Sequence, residues 1–192
     1  MEGFALAGGL EIALTCDLIV AAKGVKLGIP EVNKGLFAAG GGLFRLPERV
    51  PYGVAMEMAL TSDPILAEQA HELGLVARLA EPGKAAEVAL ALAERIAQNA
   101  PLAVAASKQI VRQTRGLIEE DAWTLQSPHA AKVFTSQDAK EGPRAFAEKR
   151  PPPLDRQVAR KGTFLHRRLF TAEKLPMQER PLSYFSYAEV MG

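Results

Sequence analysis

A single cysteine, Cys16, excludes an internal disulfide. It lies in an apolar run, where a buried and inert thiol is expected. Charge of one sign is also lacking. Lysine and arginine number 23 against 22 aspartates and glutamates, a net charge of +1, so no field gathers nucleic acid or an anionic membrane. The Arg167–Arg168 pair is too short a basic cluster to argue otherwise. No apolar run approaches the roughly 18–20 residues of a membrane-spanning helix. The N-terminus lacks the basic region of a secretory leader. Three histidines, His71, His129 and His166, stand apart without metal-ligand spacing, and no metal is expected. There are no repeats and no low-complexity tracts. A soluble, cytoplasmic protein follows as the default, with no nucleic acid or membrane among its partners.

What is present is ordinary globular composition, 48% hydrophobic and 23% charged over 192 residues. The chain enters an apolar, glycine-rich segment at its third residue, GFALAGGLEIALTCDLIVAA. Domains seldom begin inside what reads as core, so a preceding part is expected. Gly8 and Gly9 lead a run from Leu10 to Leu18 that is apolar on nearly every face, the pattern of a buried helix. Leu18–Ala22 fits a buried strand, and Val25–Ile29 a second extended piece ended by Pro30. Glu31 then falls on a loop past a strand end. Gly40-Gly41-Gly42 allows a tight turn or a close backbone approach. Helices are expected over 53–60, 67–73, 85–98, 99–114, 118–134 and 137–149, the last interrupted near Gly142-Pro143. Leu75–Leu79 reads as a strand.

Pro151-Pro152-Pro153 marks a boundary. Beyond it periodicity is poor, and five of the twelve aromatics, Phe164, Phe170, Tyr184, Phe185 and Tyr187, fall in the last forty residues. Three regions are expected: 1–80, an α/β core; 81–152, a helical region; and 153–192, a tail of unknown origin and a candidate for disorder.

Glu11 poses the chemical question. An ionised carboxylate among Leu10, Ile12 and Leu14 is costly to bury unless it is paired or does chemistry. At the N-terminus of its helix, Gly8 and Gly9 present unpaired amides at the positive end of the dipole, where an oxygen gaining negative charge is stabilised. Glu31 supplies a second carboxylate, and two carboxylates in differing environments can act as base and acid on one substrate. The plain alternatives are a tight turn, a first-turn acid complementing the dipole and a solvated loop residue. Spacing alone leaves both readings open.

The residues themselves narrow the choice. GFALAGGLEIALTCDLIVAA, followed by KLGIPEVNKGLFAAGGGLFRLP, resembles the central signature of the crotonase superfamily, the enoyl-CoA hydratases and isomerases. That family shows N-G-x-A-x-G-G-G-x-E-L-A-x-x-C-D and then x-F-G-x-P-E-x-x-x-G-x-x-P-G-x-G-G. Three later blocks are similar to it as well: Met56–Val76, Ala100–Lys108 and Phe134–Arg150. The resemblance spans residues 2–152 in five ordered blocks.

The resemblance implies an α/β fold, the C-terminal part of a crotonase-type ββα spiral followed by a helical region. It implies that Gly8 supplies an oxyanion-hole amide to a thioester carbonyl. It also implies that Glu11 and Glu31 activate water and deliver a proton across a 2-enoyl-CoA double bond, with Glu31 the donor at C2. Retaining both glutamates favours a hydratase over a pure isomerase. Ala39 and Gly42 belong to the loop that shapes the pocket. Phe146 and Lys149 match a C-terminal helix that covers the acyl group and approaches the CoA phosphates. No cofactor is implied, because coenzyme A is part of the substrate. A homo-trimer or hexamer is implied as the assembly.

There are departures. Ala7 replaces a glycine of the G-G-G, and Ala38-Ala39 replaces P-G, which leaves an isomerase or a dehydratase of a specialised acyl-CoA as an alternative. The family's first strands and first oxyanion amide would precede Met1. A second alternative is therefore a non-catalytic homologue that associates with intact subunits.

Overall fold

The computed structural model describes residues 1–154. These belong to two compact units, Met1–Leu92 and the chain from Ala93 onward. The expectation of a disordered tail falls almost entirely on residues outside the described ones.

The first unit alternates short strands and helices. The strand β1 (Phe4–Leu6) leads into helix α1 (Gly8–Thr15), then strands β2 (Val20–Ala22) and β3 (Lys26–Gly28). A 3-10 turn, Pro30–Lys34, precedes the short helix α2 (Gly42–Arg45) and helix α3 (Tyr52–Thr61). Strand β4 (Ile65–Leu66), helix α4 (Ala67–Glu72) and strand β5 (Arg78–Ala80) follow, and helix α5 (Ala85–Ala97) begins in this unit. β1 pairs in parallel with β3, Phe4 opposite Lys26, and β3 pairs antiparallel with β4. β2 pairs in parallel with β5, Val20 opposite Arg78. Parallel pairing requires a crossover between the strands, and buried parallel strands are apolar on both faces. Val20, Ala21 and Ala22 are all buried, as that requires.

One core fills this unit. Leu10, Leu14, Val25, Leu27, Leu46, Met58 and Val76 are fully buried. Side chains of this kind stabilise by about 1.5–3 kcal/mol each on leaving water. The Glu2 carboxylate also ties the two ends of the unit together. It accepts from the Ala85 N–H at 2.9 Å and the Gly83 N–H at 3.1 Å, capping the start of α5. These two bonds hold its carboxyl below the usual glutamate range.

Four local expectations are corrected. α1 ends at Thr15, and its outer face is exposed: Ile12 is 71% accessible. Only Leu10, Glu11 and Leu14 are buried on it, so it is amphipathic rather than apolar-buried all round. Cys16 caps this helix and is exposed, not buried. The strand expected at Leu75–Leu79 forms at Arg78–Ala80. The amides of Leu75 and Val76 are committed to Ala70 O, closing α4, so the β5 ladder starts later. His71 joins that closure through Nδ1 and Val76 O at 2.8 Å.

In the second unit, helices α6 (Pro101–Gln113), α7 (Glu119–Phe134) and α8 (Gln137–Ala147) follow one another. Ser136 caps α8, its Oγ accepting from Ala139 N–H at 3.1 Å. α8 runs unbroken through Gly142-Pro143, the fourth correction. α6 and α7 pack together, and His129 lines the cleft between them. The Trp123 Nε1–H donates to Glu119 on its own helix. Among the described residues no helix is long and apolar enough to cross a membrane, and no group of three metal-ligating side chains occurs.

Candidate functional site

The backbone reverses sharply between β1 and α1. Ala7 donates its N–H to Gly28 O at 2.9 Å, which fastens the turn to β3. Ala7 itself adopts φ 50°, ψ −131°, a conformation that L residues rarely take. Such a residue costs roughly 1–3 kcal/mol and is kept only where its surroundings fix it. The first helical bonds are donated by Leu10 and Glu11, both to Ala7 O. Gly8 and Gly9 lie ahead of that ladder, exposed, with their amides at the positive end of α1.

Leu10 and Leu14 anchor α1 in the core, and this rotation turns Glu11 inward to 8% accessibility. The carboxylate lands on the glycine turn. Gly42 N–H donates to Glu11 Oε1 at 2.8 Å. A Cβ added to Gly40 would sit 2.6 Å from Oε2 and 3.0 Å from Cδ. One added to Gly42 would sit 3.1 Å from Oε1. The glycines are therefore room for a carboxylate as well as a turn. Between them Gly41, at φ 100°, caps α2. Ala38 is buried beside Gly42, while Ala39 is exposed.

Glu31 does not lie on an irregular loop, as the sequence suggested, but in the first turn of the Pro30–Lys34 helix. Proline suits that first position because it has no N–H to leave unpaired and its φ is already helical. The turn packs on α3, and the Ser62 hydroxyl donates to Pro30 O at 3.4 Å. Among the described residues, Glu31 Oε2 is the one buried side-chain polar atom without a hydrogen-bond partner. Leaving such a group unsatisfied costs about 1–3 kcal/mol, and more if it is charged. A buried oxygen without a partner calls for an explanation, and a catalytic role is one of those open to it.

The structure thus gathers Glu11, Gly40 and Gly42 in one contact, buried at Glu11 and Gly42 and open at Gly40, with Gly8 one turn earlier on the same helix. Gly42, expected to line a substrate pocket, has its amide committed to Glu11. Phe146 and Lys149 belong to the second unit. Phe146 is on α8 and 87% accessible, and Lys149 follows it exposed, at φ 54°. The adjacent Arg150 is paired with Glu148 and Glu141. Sequence reasoning missed Gly40 as a contact of Glu11, Ser62 as the anchor of Pro30, and Arg45 beside the glycine turn. The glycine triplet was the signal for the first, but nothing local marked the other two.

Comparison with known proteins supplies the context. The family described as enoyl-CoA hydratase/isomerase matches residues 1–157. The crystal structure of enoyl-CoA hydratase EchA1 from Mycobacterium marinum superposes with a TM-score of 0.78 at 57% identity, covering 81% of this chain and 64% of that one. An enoyl-CoA hydratase from Mycobacterium tuberculosis H37Rv gives 0.77 at 58% identity, over 80% of this chain and 61% of that one. Among curated relatives, enoyl-CoA hydratase EchA19 of Mycobacterium tuberculosis is 43% identical over 79% of this chain and 57% of its own length. Carnitinyl-CoA dehydratase of Salmonella arizonae is 40% identical over 79% of this chain and 60% of its own length. The chain spans about three fifths of the length of these curated relatives.

Proposed function

This chain belongs to the enoyl-CoA hydratase/isomerase family, and from that premise we propose that it takes part in adding water across the double bond of a 2-enoyl-CoA thioester. Its fold is the crotonase-type α/β fold of the relatives.

The reading rests on the contrast between the two carboxylates. Glu11 Oε1 is held by the Gly42 amide, and a carboxylate with a fixed orientation suits the role of a base. Glu31 Oε2 is buried and unpartnered, so it has no protein bond to release before passing a proton to C2. In this chemistry the thioester oxygen accepts from Gly8 N–H at the start of α1. Charge gathers on that oxygen as the water oxygen bonds to C3, and the helix terminus stabilises it. Glu11 takes the proton that water loses, and Glu31 gives one to carbon, so protons balance over the addition. One oxyanion donor is worth about 2.7–4 kcal/mol in the transition state. No resident cofactor enters, since coenzyme A arrives with the substrate. Assembly into trimers or hexamers and a role for Ala39, Phe146 and Lys149 at the acyl-CoA belong to the same proposal.

The reverse reaction, dehydration of a 3-hydroxyacyl-CoA, is a second reading suggested by the dehydratase relatives and left open by Ala38-Ala39. It uses the same groups in reverse. The test is loss of enoyl-thioester absorbance when the purified 192-residue chain meets crotonyl-CoA. Turnover that disappears in Glu31→Ala is the expected result. Unchanged turnover in that variant removes Glu31 from the chemistry. A chain that leaves crotonyl-CoA untouched yet forms a double bond in a 3-hydroxyacyl-CoA selects the dehydratase reading. A chain that binds no acyl-CoA and assembles with a longer relative is instead a structural partner.

A further inference from the structure

We propose that Arg45 is a positioning residue for Glu11, acting through the glycine turn; this rests on the reading of Glu11 as a base. Arg45 is the last residue of α2. Its main-chain N–H makes the ordinary first helical bond, to Gly41 O at 3.1 Å, as any residue there would, while its side chain holds the turn: Nη1–H donates to Gly40 O at 2.8 Å. Its guanidinium carbon lies 4.8 Å from the centroid of the Phe44 ring, a cation–π contact that restrains the head group. A Cβ on Gly41 would fall 2.0 Å from Nη1, so the side chain passes directly over the turn.

The clamp and the carboxylate meet on consecutive residues. Gly40, whose carbonyl Arg45 holds, is packed against Glu11 Oε2, and Gly42 holds Oε1. Gly41 has more backbone freedom than other residues, and a charge-assisted bond to Gly40 O restricts it. The simpler role, a basic residue complementing the end of a helix dipole, does not account for the fork reaching out of the helix to Gly40. That role would be served equally by lysine, whose single flexible ammonium lacks the rigid fork.

The test reads the turn directly. In spectra of the full chain, an amide proton bonded to a carboxylate lies downfield, so Gly42 reports the Glu11 contact. Arg45→Met is expected to move the Gly42 proton upfield toward its position in Glu11→Ala, and Arg45→Lys to lie between wild type and Arg45→Met. Turnover in Arg45→Met is expected to fall about ten- to a hundredfold in kcat with little change in KM, as for a displaced catalytic group. An unmoved Gly42 proton in both Arg45 variants overturns the proposal, as does a lysine variant equal to wild type. If Arg45→Met does not fold, Arg45→Lys decides alone by the same resonance. If the wild-type chain turns over no enoyl thioester but Arg45→Met still moves the Gly42 proton, the positioning role stands and the hydratase reading fails separately.

Discussion

Glu11 and Glu31 are held by different means, and the difference separates what the fold supplies from what a substrate must supply. Glu11 is seated from outside its own helix. Its carboxylate contacts a turn 31 residues away in sequence, and two glycines there exist in the shape it needs. Glu31 is positioned from behind, by Pro30, Ser62 and the face of α3, and its Oε2 is left bare. Under the proposed roles, fixed bonds suit the carboxylate that orients water, and the lack of a competing partner suits the one that gives up a proton.

The largest test of that contrast is Glu31→Gln. Hydration is expected to fall about a thousandfold, in the range of a lost general acid. Thermal stability should not drop, because the replaced oxygen has no bond to lose. A comparable fall in melting temperature would show that Glu31 is structural. Gly40→Ala presses from the other side. The atoms it meets are the end of a flexible side chain, so the carboxylate moves while the fold stays. Turnover is expected to fall up to about a hundredfold while the melting temperature drops only by what a strained Glu11–Gly42 bond costs, and a collapse of the fold would contradict the account.

Smaller effects probe the frame around the two groups. Ala7→Gly relieves a left-handed alanine, and is expected to raise the melting temperature by about 2–4 °C, net of glycine's greater freedom in the unfolded chain. An unchanged or lowered value would mean that Ala7 is not strained. Glu2 gives the smallest effect. Its folded pKa lies below the unfolded one, so its stabilisation is full above the ordinary glutamate pKa and disappears as pH falls through the depressed folded value. Glu2→Gln should therefore lower melting temperature slightly at neutral pH and hardly at all in strong acid. Equal destabilisation at both would remove its charge from the explanation.

Much of this was legible in the residues. The glycine pair, Glu11 and Glu31 announced themselves because carboxylates beside apolar runs are costly without a purpose. Helices α5, α6 and α7 followed their periodicity to within a few residues. What escaped depended on contacts far apart in the chain. Periodicity shows that Leu10 and Leu14 share a face, but not that Ile12 and Cys16 would stay uncovered by the described residues. The strand after α4 began late because two amides were already committed to Ala70. The Arg45 fork reaches a carbonyl outside its helix, and no spacing rule announces such a bond. Pro143 warned of a break in α8 where none occurs, and the helix runs on to Ala147.

The parallel pairing of β2 with β5 carries a kinetic consequence. Lys23 and Glu81, which meet just beyond that pair, are 58 residues apart, and Glu2 and Ala85 are 83 apart. Each closure orders a long loop before any bond rewards it, and chains dominated by such distant contacts fold slowly. The β1–β3 pair closes the much shorter loop that carries α1 and Glu11. The closure that brings the Glu11 helix onto its strands thus spans less chain than the one that completes the β2–β5 pair.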